Sequence, residues 1–203
     1  MKNSASPVFS SVNLLFGVAL GCFWGFIMAD YCLKLAAQLS WLLMVLVFLA
    51  AFLSLALAFV LQIVLHELGH LLFGLLSGYR FVAFRFGPRL MDREGLLCRC
   101  VMAPPPPGRD GYFPLALYSL GGIILNLFSG LFFLWLYFLS GGALLLTLFS
   151  LSAGILGLGL GLMFALPVSG SDGYNALWLS DNEAALHAHW LYLRDAAEKE
   201  GMD

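Results

Sequence analysis

Leu65-His66-Glu67-Leu68-Gly69-His70-Leu71 closes an apolar run, Leu35 to Leu65, of 31 residues without a charge. About 20 apolar residues suffice to cross a bilayer. The seven-residue stretch therefore falls near the C-terminal end of a membrane-spanning helix. It puts three ionisable groups where the chain is otherwise built for lipid, and such groups are costly there unless they serve a purpose. His66 and His70 are four residues apart, so they share a helix face and can grip one Zn²⁺ ion. Glu67, between them, can act on a metal-bound water.

Composition agrees with a membrane setting. The chain of 203 residues is 61% apolar and 11% charged, against about 25% charged in an average soluble domain. Mean hydropathy is +0.91. A net charge of −2 gives no signal for nucleic acid. Cys22, Cys32, Cys98 and Cys100 lack the second pair that a four-ligand zinc site needs, so ordinary reduced thiols are expected.

Working outward, residues 3–29 carry no charge, and residues 14–28 are strongly apolar. A cleaved signal peptide is the rival reading, but Ile27 and Ala29 do not make the small-x-small pair of a cleavage site. Asp30-Tyr31-Cys32-Leu33-Lys34 reads as a polar interruption before the second span. Beyond the motif, Arg80–Phe86 alternates as a strand does, and Leu96–Met102 reads as a returning strand after a turn at Asp92–Gly95. Four prolines, Pro104 to Pro107, then form a stiff extended connector. Residues 111–171 are again uncharged, 61 in all, and Ser140-Gly141-Gly142 divides them into two spans. Their glycines, including the GxxxG of Gly157 and Gly161, suit close helix packing.

The expectation is an all-α integral membrane protein. Its spans are near 11–29, 41–76, 115–139 and 143–166, with a small membrane-associated β-hairpin over 80–103. Residues 1–180 form one unit, and residues 181–203 form an amphipathic tail. Ser180-Asp181-Asn182-Glu183 fits a capping box, and Leu186, Trp190, Leu193 and Ala197 line one face of the helix that follows. That helix lies on the membrane surface or docks on the loop. Six of the ten basic residues, Arg80, Arg85, Arg89, Arg93, Arg99 and Arg109, lie in the loop after span two. The positive-inside rule puts both termini, this loop and the HELGH end in the cytoplasm.

A catalytic zinc site wants three protein ligands and a water. Phe73 and Leu76 stand where an extended HExxHxxGxxH motif would continue, so a third nearby histidine is excluded. Glu183, His187 and His189 in the tail have ordinary explanations as a cap partner and as solvated side chains. Asp172, in Pro167-Val168-Ser169-Gly170-Ser171-Asp172-Gly173, is the favoured third ligand. It is the first acid after 61 uncharged residues, at the end of span four that lies on the same side as HELGH.

The chain resembles the site-2 protease family of intramembrane zinc metalloproteases over roughly residues 40–180. His66, Glu67 and His70 match the first family motif, and Asp172-Gly173 matches the end of the second. Gly122-Ile123-Ile124-Leu125-Asn126 fits the GxxxN-like element of the intervening span. The second motif departs from the pattern: Leu166-Pro167 replaces Asn-Pro, and Asp172 comes five residues after the proline rather than four. No stretch is long enough for a PDZ or CBS-type domain, which implies a minimal member.

The resemblance implies one Zn²⁺ held by His66, His70 and Asp172, with Glu67 as the catalytic acid-base. Its implied substrate is a transmembrane or signal-peptide-like segment, cut near the cytoplasmic face of the cell membrane. Asn126 is polar within a span; it binds substrate backbone or joins two helices. A second reading is a non-catalytic multi-pass protein that binds zinc or membrane helices. The presence of Glu67 argues against it. A membrane-anchored protease of soluble chains, with Glu183 as ligand, would need a soluble catalytic domain that the sequence lacks.

Overall fold

The computed structural model describes residues 7–36, 40–86, 98–108, 112–179 and 182–201. Four long helices follow the uncharged runs: α1 (Pro7–Ala36), α2 (Trp41–Leu76), α3 (Leu115–Leu139) and α4 (Leu144–Ala165). Each contains a stretch long and apolar enough to cross a membrane, so the chain is a multi-pass membrane protein. An antiparallel hairpin, β1 (Arg80–Phe86) and β2 (Cys98–Ala103), lies between α2 and α3. After α4 come one turn of helix, α5 (Asp172–Tyr174), a π-helical turn (Asn175–Leu179) and α6 (Glu183–Glu198). The mostly helical class with one small hairpin is the class expected.

The first boundary differs from expectation. Asp30–Lys34 does not interrupt the helix, because α1 continues to Ala36. Asp30 and Lys34 are four residues apart and pair at 2.6 Å on the exposed helix surface, which lets both charges ride on a continuous helix. Helix α2, with 36 residues, is about 54 Å long at 1.5 Å per residue, well over the ~30 Å hydrocarbon thickness. It ends where its last carbonyls are capped. The Tyr79 amide donates to the Gly74 carbonyl and the Gly78 amide to the Leu75 carbonyl, with Gly78 left-handed at φ +83°. Glycine adopts that conformation without steric cost, so Ser77-Gly78 turns the chain sharply into β1.

Helix α4 is the centre of the bundle and by far the most buried of the four long helices. The other three turn apolar side chains such as Phe26, Leu53 and Phe138 outward, as lipid contact requires. Close approach rests on missing side chains. A Cβ on Gly157 of α4 would lie 2.7 Å from the Cα of Gly130 on α3. A Cβ on Gly69 of α2 would collide with the Gly121 carbonyl of α3. The glycine inside HELGH is thus the point where α2 and α3 touch backbone to backbone.

The hairpin pairs Arg80 with Ala103, Phe84 with Cys100 and Phe86 with Cys98, with an irregularity between Phe81 and Ala83. The expected turn at 92–95 and residues 96–97 of the returning strand lie outside the described residues. Strand β2 is buried and β1 is the more exposed. Tyr79, Cys100, Met102, Phe113, Leu115, Leu186 and Leu193 form one core, so α6 docks on the hairpin by its apolar face. The proline run passes beside α6, where the Trp190 indole donates to the Pro105 carbonyl at 2.8 Å. The cap of α6 also differs from expectation. Asn182 is the N-cap, its Oδ1 accepting from the Ala185 amide at 3.1 Å, and Glu183 is the exposed first helical residue. Ser180 and Asp181 lie outside the described residues. The described cysteines are free thiols, and Cys98 and Cys100 are both buried.

Candidate metal centre

Helical spacing on α2 brings the rings of His66 and His70 together edge to face, 4.7 Å between centroids. Their Nε2 atoms are 3.1 Å apart. Asp172, at the start of α5, reaches the same point from beyond the end of α4. Its Oδ2 lies 3.0 Å from His66 Nε2 and 3.5 Å from His70 Nε2. Both histidines are buried and Asp172 is nearly so. Among the described residues this is the one group of three His, Cys, Asp or Glu donors whose ligand atoms all lie within 4.8 Å of one another. Burial alone would raise the Asp172 carboxyl, but the imidazoles of His70 and His66 outweigh it and hold the group below the usual carboxylate range. The third donor is therefore an anion at neutral pH.

The donor set fits a tetrahedral ion. Ligands about 2.0–2.1 Å from such an ion sit roughly 3.3 Å from one another, and the three observed separations bracket that value. The far sides of the rings are also arranged for ligation. His70 Nδ1 lies 2.9 Å from the Tyr118 carbonyl, which can only accept, so Nδ1 carries a proton and Nε2 is the nitrogen turned toward His66 and Asp172. His66 Nδ1 faces the Asn126 carboxamide at 3.4 Å. Oxygen and nitrogen of a carboxamide are assigned by their hydrogen bonds. Setting Asn126 Oδ1 toward the ring gives His66 the same tautomer as His70.

Helix α3 shapes itself around His66. A Cβ on Gly122 would lie 2.5 Å from His66 Cε1, so this glycine makes room for the ring. Asn126, one turn later and fully buried, meets Nδ1 of the same ring. Phe164 of α4 covers another face, with ring centroids 4.3 Å apart. The Gly122–Asn126 element is thus the cradle of one histidine.

Glu67 is half-buried, and its Oε2 accepts the backbone amide of Cys100 on β2 at 2.7 Å. The hairpin is in this way tied to the glutamate of the motif. Burial first, and the Glu67 charge second, push the thiols of Cys98 and Cys100 up to about 12. Glu183 and His187 are exposed, and neither they nor His189 belong to the donor group. Burial pushes His189 down to about 4 against the opposing pull of Asp172.

Sequence reasoning missed three partners. The Tyr118 carbonyl and Cys100 amide are backbone atoms and leave no mark in residue type. Gln62 did leave one, as a carboxamide inside an apolar span one turn before His66. It is fully buried, donates from Nε2 to the Ala153 carbonyl of α4 at 2.9 Å, and accepts the Ser129 hydroxyl of α3 at 2.9 Å. It joins the three helices that carry the site. No protein-family model, curated protein or solved structure matches the chain.

Proposed function

We propose that the chain is a zinc-dependent intramembrane endopeptidase of the site-2 protease type. The observation that carries this reading is the convergence of His66, His70 and Asp172 from the ends of two spans, with Glu67 next to His66 in sequence and its carboxylate held by the Cys100 amide. His66, His70 and Asp172 hold the ion in this reading. Bound there, Zn²⁺ supplies a water of lowered pKa and polarises the scissile carbonyl. Glu67 takes the proton of the attacking water and delivers it to the leaving amine. The buried position excludes bulk water, which strengthens the field of these charges.

The substrate is a membrane-spanning peptide or protein, or a signal-peptide-like segment. A helical substrate hides its carbonyls in its own hydrogen bonds and must unwind before attack. Strand β1, exposed at Phe81 and Phe86, supports strand addition as the means of holding the extended form. Prolines in β1 that leave both folding and cleavage intact would exclude this role. Clustering of arginine in the hairpin loop supports a cytoplasmic site in the cell membrane.

The test is cleavage of a model membrane-span substrate in detergent and in vesicles. Wild type cuts, Glu67→Gln holds zinc without cutting, and Asp172→Asn loses both. Undiminished cleavage by Glu67→Gln would eliminate the enzyme reading. Zinc retention without cleavage in wild type would favour a non-catalytic binder.

A further inference from the structure

The third ligand stands on a turn, not on a span, and something must fix that turn. Helix α4 stops at Ala165, and the backbone bends through Leu166–Ser171 before Asp172. Three hydrogen bonds shape the bend. The Val168 amide donates to the Leu166 carbonyl at 2.8 Å, the Ser171 amide to Val168 at 2.9 Å, and the Asn175 amide to Ser171 at 3.1 Å. Gly170 is left-handed at φ +100°, where a side chain would be strained. None of these contacts ties the end of α4 directly to the start of α5.

Ser171 does. Its side chain is 2% exposed. Its hydroxyl donates to the Leu166 carbonyl at 2.5 Å and accepts the Tyr174 amide at 3.1 Å. One hydroxyl thus uses its donor on the end of α4 and its acceptor as the N-cap of α5. Asp172 is the next residue. Gly173 follows, and a Cβ there would collide with the Ala165 carbonyl, so the ligand is clamped against α4 on both sides.

We propose that Ser171 is a positioning residue for the metal centre. Its hydroxyl closes the Leu166–Ser171 turn and so sets Asp172 Oδ2 against His66 and His70. The proposal rests on the metal reading given above.

The experiment measures zinc affinity of the full-length protein in detergent by chelator competition, for Ser171→Ala, Ser171→Gly, Ser171→Thr and Asp172→Asn. The visible spectrum of the Co²⁺-loaded proteins reports ligand geometry, and thermal melting without metal reports folding. Partners that orient ligands contribute about 10- to 100-fold in affinity. A loss in that range for Ser171→Ala is expected, with a changed Co²⁺ spectrum. Ser171→Thr, which keeps the hydroxyl, restores most of it. Ser171→Gly guards against a misfolded alanine variant, because glycine is tolerated at an N-cap. Wild-type affinity and spectrum in either folded hydroxyl-less variant would overturn the role of Ser171, as would a threonine variant as weak as alanine. Wild-type affinity in Asp172→Asn, or no zinc bound by wild type, would instead overturn the metal reading beneath it.

Discussion

Gly122→Ala is the most searching substitution, because it adds one methyl group and replaces none of the three donor residues. The new Cβ would lie 2.5 Å from His66 Cε1, 2.7 Å from Nδ1 and 2.8 Å from Nε2. Ordinary contact begins at 3.4 Å, so the ring must retreat by about 0.9 Å or α3 must move away. Metal–ligand distances tolerate only about ±0.2 Å. On the zinc reading, a retreat of the ring therefore takes Nε2 out of register with His70 and Asp172. Movement of α3 instead carries off the Tyr118 carbonyl and Asn126 amide that orient both rings, at an overpacking cost of about 1–3 kcal/mol. Helix propensity works in the opposite direction, since alanine favours a helix over glycine by roughly 0.5–1 kcal/mol. We expect a loss of zinc affinity of about 10- to 100-fold by chelator competition, and about 100-fold slower cleavage. Gly25→Ala on α1, where the new Cβ meets nothing within 4 Å, is the control and changes neither. A Gly122→Ala protein that melts as wild type and keeps its zinc affinity would refute the cradle.

Gln62→Leu keeps most of the volume but removes two buried hydrogen bonds between α2, α3 and α4. It should lower stability to denaturing detergent by about 1–3 kcal/mol, since each such bond contributes roughly 0.5–1.5. The Cys98 and Cys100 thiols, held near 12, stay protonated well above the ordinary cysteine range. Their folded form is favoured at neutral pH and loses that advantage as pH rises from the unfolded value toward 12. Maleimide labelling at pH 8 should therefore leave both unmodified until the protein is unfolded. Trp190→Ala removes the indole donor to Pro105 and part of the α6 packing. The C-terminal helix should then become a preferred site of limited proteolysis, with a stability loss of about 1–3 kcal/mol for a half-buried aromatic.

Charge-free runs made the four spans legible, and HELGH declared its own face by its spacing. Asp172 was legible from side and depth, because an acid after 61 uncharged residues has to be explained. Boundaries were harder where two charges could satisfy each other. Asp30 and Lys34 read as a break in sequence but as an ion pair on a continuous helix in the fold. The Ser180 cap was misplaced because Asn182 offers an equally good acceptor two residues later. Asn126 showed its need for a partner but not its identity, and the partner is the His66 ring. The Tyr118 carbonyl and Cys100 amide were invisible, since every residue type carries those atoms.

The two donors on α2 and the one beyond α4 are separated by 102 residues, His70 to Asp172. At roughly 5–20 residues per second of synthesis, the ribosome delivers the histidines about 5–20 s before the carboxylate. During that interval the nascent chain holds two of the three donors. On the zinc reading, hydrolysis is switched on only when translation has passed the fourth span. On that reading the order of the chain makes the carboxylate the last of the three donors to arrive.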